Sequence, residues 1–239
     1  MLTFKPANII RPDINKLPEL KSGEIHLFVF SVTDIFSRLQ QLSSCLSATE
    51  EKRAARFINQ QHGDNYRCIR GQLRTLLSAY LKDQPSNIQI EYEEHGKPFL
   101  NNKRQLQFNL SHSRDRVAFV FCRDSVIGVD IEFMRPQKNF AGMLRHVASV
   151  REQQELMALN EPSSFNAFYR LWTRKEAYIK AVGRGLGMGL RSIYVGTEPL
   201  ETFTSVEYKG QIQSNWQVLD VTAPENFKLA ICVNSEELQ

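Results

Sequence analysis

Two stretches about a hundred residues apart carry the same signals in the same order, so any fold for this chain must place both. LSATEEKRAARFINQQ (46–61) opens as a helix start: Ser47 can cap, Glu50 follows three residues on, and Leu46 is placed as a staple. DNYRCIRGQLRTLLSAYLKD (64–83) predicts a second helix, opened by Asp64, with Leu73, Leu76, Leu77 and Tyr80 on one face and Pro85 as its stop. VASVREQQELMALN (147–160) and FNAFYRLWTRKEAYIKAVG (165–183) resemble this pair. Ser149 lies 102 residues beyond Ser47, and Tyr169-Arg170 lies 103 beyond Tyr66-Arg67. A strand follows each pair, NIQIEYEE (87–94) and then RSIYVG (191–196). Three matches in order point to an internal duplication. Further strands are expected at GEIHLFVFSV (23–32), QLQFNLS (105–111), RVAFVFC (116–122) and SVIGVDIEFM (125–134), with a turn at His95-Gly96-Lys97-Pro98. The expected fold is α+β: two related halves, 1–124 and 125–239, with an active site in the cleft between them. The tail VNSEELQ is expected to fray.

Composition narrows the setting. With 239 residues, 42% hydrophobic and 23% charged, the chain suits a soluble globular protein. No apolar run approaches the ~20 residues of a membrane helix. The opening MLTFKPANIIRPDINKLPEL mixes charges and prolines and lacks the apolar stretch of a signal peptide. Cys45, Cys68, Cys122 and Cys232 form no CxxC pair, which suggests neither zinc nor a disulfide framework and fits a reduced cytoplasm. A net charge of +4 suits acidic partners, yet no dense basic run or nucleic-acid-binding motif is present.

Three elements carry chemistry. In Gly128-Val129-Asp130-Ile131-Glu132 on a strand, Asp130 and Glu132 share one face while Val129 and Ile131 share the other. Paired carboxylates repel unless they are solvated or share a cation, and hard oxygens suit Mg²⁺. Taken alone, the pair is better read as an exposed strand edge carrying negative charge. In Trp172-Thr173-Arg174-Lys175-Glu176-Ala177-Tyr178-Ile179-Lys180, Glu176 and Lys180 share a helix face, as a surface ion pair also would. Phe168, Leu171, Trp172 and Ile179 mark that helix as well packed. In Asn109-Leu110-Ser111-His112-Ser113, a histidine beside hydroxyls and Arg114 is able to hold a phosphate or to be a plain loop residue.

Together, NLSHS, GVDIE and FYRLWTRKEAYIKAVGRGL closely resemble the Sfp-type 4′-phosphopantetheinyl transferase family. LSATEEKRAARF, NYRCIRG and HGKPFL resemble that family's N-terminal motifs, so the likeness spans roughly 46 to 195. It implies two similar α/β halves in one monomer, with coenzyme A (CoA) and Mg²⁺ between them. By motif, Asp130, Glu132 and Glu176 are expected to ligate the metal and Lys180 to hold a diphosphate oxygen. Arg53, Arg67 and His112 are expected to meet phosphates, the 3′-phosphate falling to Arg67 and His112. Gly96, Lys97, Pro98 and Ser111 are expected to line the nucleotide end. Glu50 and Glu51 stand beside Arg53, where the family pattern is more basic. The implied reaction moves phosphopantetheine from CoA to a serine of an acidic acyl- or peptidyl-carrier protein, with Glu176 the best candidate for proton acceptor.

Gly183-Arg184-Gly185-Leu186-Gly187-Met188-Gly189 follows a helix and precedes a strand, the reverse of a dinucleotide fingerprint, so it is expected to be a mobile connection. Two other functions compete: a Mg²⁺-dependent phosphodiesterase or nuclease, and a catalytically silent CoA- or carrier-binding module.

Overall fold

The computed structural model describes residues 16–101, 106–123, 125–136 and 139–234. β1 (Ile25–Ser31) leads through short helices α1 (Val32–Phe36) and α2 (Leu39–Ser43) to α3 (Ala48–Ala54) and the long α4 (Gln60–Leu81). A small hairpin of β2 (Glu91–Tyr92) and β3 (Pro98–Phe99) precedes β4 (Leu106–Ser113) and β5 (Arg116–Arg123). Then come β6 (Ile127–Phe133), α5 (Phe140–Val147), α6 (Val150–Met157), α7 (Ser163–Val182), β7 (Ile193–Tyr194), β8 (Thr204–Tyr208), β9 (Gln211–Val221) and β10 (Phe227–Asn234). One antiparallel sheet has the order β1-β5-β4, the other β6-β10-β9-β8-β7.

Strand alternation sets the layers. On β5, Val117, Phe119 and Phe121 face α4, where they meet Leu73, Leu76, Leu77 and Tyr80. The alternate residues Ala118 and Val120 turn to the second sheet, meeting Val129 and Ile131 of β6 and Leu229 and Ile231 of β10. Beyond that sheet, Ala230 and Cys232 of β10 pack on Ala167, Phe168, Leu171 and Tyr178 of α7. The order of layers is therefore α4, first sheet, second sheet, α7. Burying a side chain the size of phenylalanine contributes roughly 1.5–3 kcal/mol, so the fully buried Phe28, Phe119, Phe121 and Phe168 are main anchors.

The repeated pattern is real at its helix starts. Ser47 and Glu50 form a reciprocal capping box, and so do Ser149 and Glu152. Both glutamates are buried and gripped from the following long helix, Glu50 by Arg70 (3.1 Å) and Arg74 (2.6 Å), Glu152 by Lys175 (2.5 Å).

Several boundaries move. The 46–61 helix stops at Ala54, and α4 begins four residues before Asp64 because the Asn59 side chain caps Gln61 N–H. The expected strand 87–94 shrinks to Glu91–Tyr92, since Pro85–Asn87 is a 3₁₀ turn and Arg74 takes the Pro85 and Ile88 carbonyls. Val147 ends α5 instead of opening α6. Val233 and Asn234, expected to fray, pair with Gln217 and Trp216; residues 235–239 and position 124 lie outside the described residues. The glycine run holds a 3₁₀ turn at Gly185–Met188, with Met188 buried.

Gly128 is the contact that sets the site. A Cβ there would lie 2.2 Å from the Ala177 carbonyl oxygen and 2.6 Å from Ala181 N, so α7 rests directly on β6. Gly128→Ala is expected to destabilise by about 1–3 kcal/mol, read as a lower urea midpoint. An unchanged midpoint would mean that α7 yields freely there.

Candidate active site

β4 and β6 are edge strands of different sheets, and side chains join them where no backbone ladder does among the described residues. Asn109, Ser111 and Ser113 alternate along one face of β4. Asn109 Oδ1 accepts from Val129 N–H (3.1 Å), Ser111 donates to Asp130 Oδ1 (2.8 Å), and Ser113 donates to Glu132 Oε2 (2.7 Å) while accepting from Phe133 N–H (3.1 Å). The seam thus presents both carboxylates on the α7 side of β6, as the two-residue period requires. Ser113 and Asn109 are additions to the expected site. The i, i+2, i+4 spacing of polar residues in NLSHS is the signal that could have found them.

Across the seam, Lys180 Nζ donates to Asp130 Oδ1 (2.6 Å) and to Ser111 Oγ (2.7 Å). Glu176 stands one turn earlier on the same face of α7. Burial, reinforced by the Asp130 charge, pushes the Glu176 carboxyl up to about 7, against the pull of Lys180. Burial and Asp130 push Glu132 up as well. A carboxyl ionising near neutrality is suited to accept a proton at physiological pH.

Glu176 and Lys180 border a cavity of about 270 Å³, lined by His95, Gly96, Lys97 and Pro98 of the β2–β3 turn with Asn109 and Leu110 of β4 on one side, and by Glu176, Ile179, Lys180, Gly183 and Gly185 of α7 and its following connection on the other. Gly96, Lys97, Pro98, Glu176 and Lys180 are therefore together, with Ser111 and Asp130 directly behind Lys180. His95 joins them without having been singled out in the sequence. His112 is exposed on β4 and is not among the residues lining the cavity, yet burial, aided by the Lys180 ammonium, holds it below the usual histidine range.

Arg53 and Arg67 are not brought to this cavity. Arg67 is engaged by Glu51 (2.5 Å), which fastens α3 to α4, and by Asp64 (2.9 Å) on α4 itself. Arg53 lies 5.4 Å over the Tyr66 ring. The basic pair preceding Glu176 is also structural. Arg174 donates to Asp220 (2.5 Å) and to the Val195, Gly196 and Glu198 carbonyls, while Lys175 holds Glu152 and the Val147 and Leu190 carbonyls. Together they brace α7 against the segment 190–198. Two consecutive cations directly after the apolar Phe168, Leu171 and Trp172 were the available signal.

Among the described residues no three His, Cys, Asp or Glu side chains already form a metal cage. The donor chemistry does fit a hard dication. Asp130 Oδ2 is buried without a hydrogen-bond partner, and the mutual repulsion of Asp130, Glu132 and Glu176 is what a shared cation relieves. No helix among the described residues is long and apolar enough to cross a membrane.

Comparison with known proteins agrees with this geometry. The family model described as the 4′-phosphopantetheinyl transferase superfamily matches residues 126–232, and the one described as 4′-phosphopantetheinyl transferase, N-terminal, matches 34–122. The chain is 33% identical to the 4′-phosphopantetheinyl transferase HetI of Nostoc sp., over 90% of this chain and 89% of that one. It is 32% identical to the 4′-phosphopantetheinyl transferase ffp of Bacillus subtilis, over 65% of this chain and 68% of that one. Identity to the transferase AcpT of Escherichia coli is 39%, over 46% of this chain and 55% of that one. The chain belongs to the 4′-phosphopantetheinyl transferase family, whose members carry phosphopantetheine to carrier proteins.

Proposed function

We propose that the cavity between the β2–β3 turn and α7 binds CoA and that the enzyme moves its 4′-phosphopantetheine arm to a serine of an acidic acyl- or peptidyl-carrier protein. In this reading residues 1–124 supply the nucleotide end and residues 125–239 the metal and the catalytic helix, in a cytoplasmic monomer. The observation that carries it is the meeting of Glu176 and Lys180 at one cavity wall, with the buried, unpartnered Asp130 oxygen behind Lys180.

Asp130, Glu132 and Glu176 hold Mg²⁺ in this proposal, and the ion when bound supplies Lewis-acid stabilisation of charge on the diphosphate oxygens. Lys180 places an ammonium on the same oxygens, and Ser111 fixes both Lys180 and Asp130 in position. His112 meets a phosphate. Gly96 and Pro98 wall the nucleotide end. The carrier serine Oγ bonds to the β-phosphorus, the bond from that phosphorus to the bridging oxygen breaks, and 3′,5′-ADP leaves. Glu176 receives the proton lost by the serine.

The test is incubation with CoA, Mg²⁺ and a panel of apo carrier proteins, read by mass spectrometry. Phosphopantetheine on a carrier serine is expected. Release of nucleotide without any acceptor would instead mark a phosphodiesterase, and CoA binding without either product a silent module. Asp130→Asn is expected to keep the fold and weaken Mg²⁺ binding at least tenfold by calorimetry, with transfer partly restored at high Mg²⁺. Unchanged Mg²⁺ affinity would remove Asp130 from the ligand set.

A further inference from the structure

We propose that Lys97 is a positioning residue that clamps the end of the catalytic helix, spending its ammonium on the protein and not on the nucleotide. Lys97 Nζ donates to the Ala181 carbonyl at 2.7 Å, joining residues 84 apart in sequence. The last carbonyls of any helix lack intrahelical partners and carry its negative pole, so a lysine there both satisfies an acceptor and meets favourable charge. The Lys97 side chain is only 11% exposed, with Glu93 4.0 Å away as its nearest acid.

The turn that carries Lys97 is tightly folded. Glu93 N–H donates to the Lys97 carbonyl (2.9 Å), and Gly96, at φ +84°, donates to the Glu93 carbonyl (2.8 Å). Its fit against α7 is equally close, because a Cβ on Gly183 would lie 2.2 Å from Glu93 Oε2. The hairpin therefore meets α7 through an ammonium on Ala181 and a carboxylate against Gly183. Lys180 is the residue immediately before the clamped carbonyl, and Glu176 is one turn earlier. Gly128 also seats Ala177 and Ala181 on β6. The last turn of α7 is thus located both by β6 and by Lys97. Loss of the Lys97 contact releases the turn that aims Lys180 at Asp130.

This inference rests on the transferase reading for its kinetic arm alone; its structural arm is read on the free enzyme. Hydrogen exchange of the ligand-free protein over 176–189 is expected to quicken on the order of tenfold in Lys97→Met and to stay near wild type in Lys97→Arg. Where Lys97→Met does not fold, Lys97→Gln takes its place. In transfer assays with saturating CoA, kcat of Lys97→Met is expected to fall about tenfold, since a mispositioned Lys180 is not repaired by more substrate. Wild-type exchange in the ligand-free variant, with KM for CoA raised and kcat unchanged, would overturn the clamp and make Lys97 a nucleotide contact. A wild-type enzyme that modifies no carrier would sink the transferase reading while leaving the exchange result to judge Lys97.

Discussion

Glu176→Gln is expected to lower phosphopantetheine transfer by about 10²–10⁴, the range typical of a lost general base, while CoA affinity falls far less. The amide keeps the shape and one oxygen but cannot take the serine proton. Raising Mg²⁺ is expected to help Asp130→Asn and to leave Glu176→Gln slow, because the first loses affinity and the second loses chemistry. Full rescue of Glu176→Gln by Mg²⁺ would make Glu176 a ligand only. The raised carboxyl also predicts a stability signature in protein stripped of divalent ions with a chelator. The unfolded group ionises at its ordinary 4.5 and the folded one near 7. Its contribution is therefore fully present below pH 4.5, erodes between 4.5 and 7, and is absent above. The span corresponds to at most about 3 kcal/mol. Glu176→Gln is expected to be more stable than wild type at pH 8, and added Mg²⁺ to raise the melting temperature of the wild type there. Identical melting of the two proteins at pH 8 in chelator would contradict the assignment.

Lys175→Met is expected to cost roughly 3–5 kcal/mol, a large part of the 5–15 kcal/mol that holds a typical domain together. Lys175 and Glu152 are both fully buried, and Lys175 also satisfies the Val147 and Leu190 carbonyls. Burial alone pulls the Lys175 ammonium down, and Glu152 opposes that pull. Removing the cation leaves a buried carboxylate with only the Ser149 and Val195 N–H donors. Glu152→Gln added to Lys175→Met should recover part of the loss, because the remaining group is neutral. Urea unfolding of the wild type, both single variants and the double variant measures that coupling. A Lys175→Met protein within about 1 kcal/mol of wild type would show that the pair contributes little.

The parts of this chain written in strong periodicity were legible. Asp130 and Glu132 share a face because a strand alternates, and α4 and α7 follow their apolar stripes. The helix starts at Ser47 and Ser149 are local chemistry, and both capping boxes form. Less legible were features decided by tertiary contact. Arg74 takes carbonyls that a strand at 87–90 needed, and Asn59 starts α4 ahead of Asp64. No strand was expected beyond 196, although Phe227–Val233 is a nearly unbroken apolar run; β8 and β9 are mostly polar and half-exposed, with little pattern to find. The acid partners of Arg67 were likewise not legible, because Glu51 and Asp64 become its neighbours only in the fold.

The clasp of Asn109, Ser111 and Ser113 on β6 imposes a division of labour between the two sheets. The first sheet supplies hydroxyls and an amide, the second the acids that those groups orient. A change at Ser111 is felt at once by Asp130 and Lys180 on the other side. Neither sheet contains the whole arrangement, so the seam between them works as one asymmetric unit.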